Sequence, residues 1–102
     1  MGARPNDFAG FQEGANRMGR AMAGVADRVP VFAQMHEFAA ERLGIPRREF
    51  FMRPDLLVPA LLQTQRDFGI DVPSITFDVY NIEAEALGQG LVWVEGGMPD
   101  VD

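Results

Sequence analysis

The chain contains no cysteine and no lysine among its 102 residues. Without cysteine there is no disulfide framework, thiolate nucleophile, Fe–S cluster or cysteine zinc site. Without lysine there is neither a Schiff base nor a Walker-type P-loop. Histidine and tryptophan occur once each. No window approaches the roughly 18 uninterrupted apolar residues of a membrane span. The stretch Met1-Gly2-Ala3-Arg4-Pro5-Asn6-Asp7 lacks the apolar core of a secretion signal. A cytoplasmic chain that neither spans nor enters a membrane is therefore expected. Cations are scarce too: 9 basic side chains stand against 15 acidic ones, giving −6 and a pI near 4.6. That balance disfavours a phosphate backbone, so no nucleic-acid partner is expected. All 9 cations are arginines, which bind carboxylates bidentately.

What is present suits a single domain, since 47% hydrophobic residues against 24% charged can bury one core. Residues 1–10 read as a disordered N-terminus. Over 11–28, Phe11, Ala15, Met18, Met22 and Val25 recur on one helical face. Gly14, Gly19 and Gly24 each weaken that helix by about 1 kcal/mol, so it needs a packing partner. The β-favouring run at 29–34 predicts a first strand. A helix follows over 35–43, with Gly44 as its C′ residue, and then an arginine-rich connection. The strongest helix is predicted over 54–68, with Pro54 in its first turn and Gly69 ending it, and with a kink or restart at Pro59. Residues 74–79 predict a second strand, 81–87 a helical turn closed by Gly88, and 91–94 a further β-prone run. This order indicates an α/β fold. A parallel sheet of two or three strands leaves its edges bare, so self-association, or a partner supplying more strands, is expected.

Three segments in order carry a family resemblance: Asp27-Arg28-Val29-Pro30-Val31-Phe32, Phe68-Gly69-Ile70-Asp71, and Phe77-Asp78-Val79 followed by Glu83-Ala84-Glu85-Ala86-Leu87-Gly88. Together they resemble the N-terminal portion of the uroporphyrinogen decarboxylase superfamily. The resemblance implies the first βα units of a (β/α)₈ TIM barrel, incomplete in this chain, with 11–102 as an N-terminal fragment. It implies an enzyme of decarboxylation (a lyase) or of methyl transfer involving a corrinoid. An isolated chain of this length is expected to be inactive. Small-molecule substrates belong to the full-length family. Where the haem-pathway decarboxylase has an arginine-rich loop after its first strand, this chain has Gln34-Met35-His36-Glu37-Phe38-Ala39. It is therefore more similar to the decarboxylase-like proteins and corrinoid methyltransferases. No cofactor is expected in this chain, with corrinoid or zinc confined to full-length relatives. The alternative is a truncated remnant, or a small non-enzymatic α/β module that binds through its sheet edge.

By resemblance, Asp78 matches an acidic residue at the C-terminal end of the second barrel strand, where it would stabilise developing positive charge. The plainer assignment is an aspartate capping the turn at residues 80–82. His36, after the first strand, would line the same mouth as a substrate contact or proton carrier. Against this stands an ordinary histidine in the first turn of a helix. HEFAAE is not HExxH, because Ala40 occupies the second histidine position. Arg47, Arg48 and Arg53 form a local cluster that suits either an anion-binding loop or a solvated one. Glu83 and Glu85, two apart on a helix, point to different sides.

Overall fold

The fold was analysed on a computed structural model that describes residues 8–73, 81–95 and 99–102. Helix α1 spans Ala9–Met22, so it starts two residues earlier than expected and Ala9 and Gly10 are helical. It also stops six residues short of Arg28. The backbone N–H groups of Ala23, Gly24 and Val25 turn back to the carbonyls of Gly19, Ala21 and Arg20. Gly24 takes φ +76°, which ends the helix at low steric cost. The expected apolar face is only half buried, and the buried residue of α1 is Gly14.

Strand β1 is Phe32–Ala33, shorter than the expected 29–34. It pairs in parallel with β2, Val72–Pro73, in the register Phe32↔Val72 and Ala33↔Pro73. Sheet pairing thus begins before the predicted second strand, whose residues 74–79 lie outside the described ones. The connection between these parallel strands carries helices and short turns but no strand, the βαβ arrangement that a parallel pair requires.

That crossover holds the core. Helix α2 is His36–Arg42, and Gly44 at φ +67° follows it. Helix α3, Arg47–Met52, occupies what the sequence reads as a connection. It turns Phe50 and Phe51 inward, edge to face with centroids 5.2 Å apart. Helix α4 runs Pro54–Phe68, bounded as predicted by Pro54 and by Gly69 at φ +65°. Pro59 neither breaks nor restarts it. One backbone hydrogen bond is forgone there, while Leu57, Ala60, Leu61 and Leu62 bury around the proline and hold the helix. Met35, Ala39, Ala40, Phe50, Phe51, Leu57, Ala60 and Leu61 form one cluster, with Trp93 packed at its side.

Helix α5, Asn81–Ala86, is closed by Gly88. Strand β3, Leu91–Trp93, pairs antiparallel with β4, Pro99–Val101. The fold is therefore α/β, a parallel pair with a helical crossover plus an antiparallel pair. Among the described residues no helix is long and apolar enough to cross a membrane.

Candidate functional site

The parallel pair defines two ends with different chemistry. At the N-terminal end, Val31 and Asp71 precede β1 and β2. Asp71 is 3% exposed, yet its carboxylate is fully engaged. Arg28 donates to both of its oxygens at 2.7 Å. Arg17 donates to Oδ1 at 2.5 Å and the Val31 amide to Oδ2 at 2.8 Å. In return the amides of Asp71 and Val72 donate to the Val31 carbonyl. The Arg28 hydrogen bonds, helped by those from Val31 and Arg17, outweigh desolvation and hold the Asp71 carboxyl well below the usual carboxylate range.

The backbone of Asp71 is equally committed. Its carbonyl accepts from Gln65 Nε2 at 2.8 Å and lies against Gly14, where an added Cβ would stand 1.6 Å from that oxygen. Asp71 thus ties α1, the segment before β1, and the end of α4 to the start of β2. None of these contacts was anticipated. The available signal was that two of the segments carrying the resemblance, DRVPVF and FGID, meet in space as Arg28 gripping Asp71. The cluster sits at the strand starts, the end of a βα sheet associated with stability rather than chemistry.

The C-terminal end of the pair is where such sheets place their sites. His36 opens α2 two residues beyond the strand-following Gln34. It is half-buried, with Nδ1 enclosed and without a hydrogen-bond partner. The strand beside it runs parallel, so Pro73 ends β2 at the same end. Asp78 lies outside the described residues. Among the described residues, His36 is the expected site residue that stands at this end.

The other candidates disperse. Arg47 pairs with Glu41 at 3.1 Å and Arg53 with Asp55 at 2.7 Å, while Arg48 lies over the Trp93 ring at 5.3 Å. The three arginines sit on and beside a helix, each with its own contact, and build no common anion site. Glu83 and Glu85 are both exposed on α5. Among the described residues no three His, Cys, Asp or Glu side chains converge on a metal position.

Neither curated proteins nor solved structures returned a match. The family sequence model described as Uroporphyrinogen decarboxylase (URO-D) matches residues 14–102, which include every structural element from the middle of α1 onward. The chain belongs to the uroporphyrinogen decarboxylase family.

Proposed function

We propose that this chain supplies the first βα units of a uroporphyrinogen decarboxylase-like (β/α)₈ barrel and works only with the remaining units around it. The observation that carries this reading is the polarity of the parallel pair. Its N-terminal end is locked by the saturated Asp71 cluster, and its C-terminal end leads directly into His36. Asp78 is the electrostatic residue, a carboxylate set where positive charge develops, and His36 contacts substrate or carries a proton at the same mouth. Reaction at a barrel mouth draws on several strand ends, which one parallel pair does not supply.

Within the family the reading favours the decarboxylase-like and corrinoid methyltransferase branch. A substrate with many carboxylates calls for guanidinium partners. The segment after β1 offers Gln34, a buried Met35, His36 and Glu37, and the next arginine, Arg42, is paired with Asp67 at 2.7 Å. Zinc, which methyltransferases of this kind use, does not fit the residues present: one imidazole and no thiolate fall short of a ligand set. The half-exposed Phe32 on β1 also suits the second reading, a non-enzymatic module docking through its sheet edge.

A complementation assay separates the two. The purified chain is mixed with a family enzyme from which the corresponding first βα units have been removed, and turnover of uroporphyrinogen and of methylated corrinoid is followed. Restored turnover is expected, falling by about 100-fold with Asp78→Asn, the scale of removing one transition-state charge partner, and by a smaller factor with His36→Ala. Turnover by the chain alone, or restored turnover indifferent to Asp78, would refute the proposal. Association without turnover would favour the docking module.

A further inference from the structure

A cavity of about 200 Å³ lies between α1 and the end of α4, beside the Asp71 cluster. It is smaller than the roughly 300–1,000 Å³ of sites for drug-sized ligands, so it suits a ligand of few heavy atoms. Gln65, 2% exposed, forms part of its wall. The Gln65 Nε2 donates to the Asp71 carbonyl at 2.8 Å, which fixes the amide, because a flip would set oxygen against oxygen. Its Oε1 is enclosed and has no hydrogen-bond partner among the described residues. A buried acceptor left in this state costs stability until a donor reaches it.

Two charged residues of the same wall have bonding capacity to spare. Glu13, largely exposed, accepts from Arg17 through Oε1 at 3.4 Å, and its second oxygen engages no described residue. Arg28 spends three of its five N–H groups on Asp71 and the Val29 carbonyl, leaving Nε–H and one N–H of Nη2 without a described partner. A lone anion would meet Glu13 and leave Gln65 Oε1 without a donor. A lone cation would meet Arg17 and Arg28. A small zwitterion answers both halves: its ammonium donates to Gln65 Oε1 and Glu13, and its carboxylate accepts from Arg28. We propose that this cavity binds a small α-amino acid, at the end of the parallel pair opposite His36. The proposal does not depend on catalysis, so its test and the complementation assay fail separately.

Glycine titrated into the isotope-labelled chain, followed by two-dimensional amide NMR, tests it. Saturable shifts are expected at the Gln65 side-chain amide and at the Gly10 and Gly14 backbone amides, with the weak affinity that suits so few heavy atoms. Acetate and methylammonium, each carrying one half of the ligand, should bind at least roughly tenfold more weakly, the scale of one charge-assisted hydrogen bond. Glu13→Gln should weaken glycine binding by roughly tenfold for the same reason. Gly10→Leu should abolish it, because a Cβ at Gly10 stands 4.0 Å from Gln65 Nε2 and a longer side chain reaches across the cavity. Leucine also favours the helix over glycine, so this variant stays folded, as far-UV circular dichroism will confirm. The absence of a saturable shift, which is the outcome for a cavity that holds only water, would overturn the proposal. So would equal binding of acetate or methylammonium, indifference to Glu13→Gln, or binding retained in Gly10→Leu.

Discussion

Replacing Asp71 by asparagine tests the account of how this fold is held. The substitution keeps the shape, but it removes the charge gripped by Arg28 at two points of 2.7 Å and leaves an amide N–H₂ facing guanidinium donors. With Asp71 at 3% exposure, the guanidinium groups lose a partner that water replaces poorly. Removing one member of a buried charged network costs about 3–5 kcal/mol. That is a large share of the roughly 5–15 kcal/mol that stabilises a small domain. In a chain of this size it lowers the thermal midpoint by at least about 12 °C. Urea titrations followed by circular dichroism supply the matching free energy. The pH dependence has a definite sign. The folded carboxyl titrates below its unfolded value, so its stabilisation is complete above the unfolded value near ~4 and declines as pH falls below it. The gap between parent and Asp71→Asn should thus be constant from neutrality down to about pH 5 and narrow in stronger acid. A loss under about 1 kcal/mol, or a gap that widens in acid, would refute the network as the lock of the strand pair.

Other substitutions probe single contacts. Gly14→Ala should destabilise by about 1–3 kcal/mol through overpacking, although helix propensity alone predicts a gain of about 1 kcal/mol. The reason is the Asp71 carbonyl at 1.6 Å from the added carbon, and denaturant midpoints read the sign directly. Pro59→Ala should raise stability by about 1 kcal/mol or more, since it restores the missing hydrogen bond in a helix that already runs through unbroken. An unchanged or lowered midpoint would contradict this. Arg48→Ala should cost about 0.5–1 kcal/mol and shift the emission of the single tryptophan, because the guanidinium stacks 5.3 Å from the Trp93 ring.

The amino-acid sequence by itself determined the local events. Pro54 and Gly69 bound α4 because a proline suits a first helical turn and a glycine accepts the left-handed backbone that closes the last one. Gly44 and Gly88 act in the same way after α2 and α5. Absent cysteines and lysines excluded whole chemistries before any coordinate was needed. The order of the motifs was enough to point to the family. Pairing and burial between distant segments were decided only in three dimensions. Helix α3 is six residues long, too short to show a periodicity, and forms because Phe50 and Phe51 find a core between α2 and α4. Strand β4 exists through its partner β3. Gly14 reads as a weak point of α1, and only the approach of Asp71, 57 positions along the chain, makes it a requirement of close packing. The Arg17–Asp71–Arg28 cluster was unreadable for the same reason. Charges far apart in sequence are neutralised at 2.5–2.7 Å only after the crossover has folded, because low local dielectric and fixed geometry, not spacing along the chain, create the interaction.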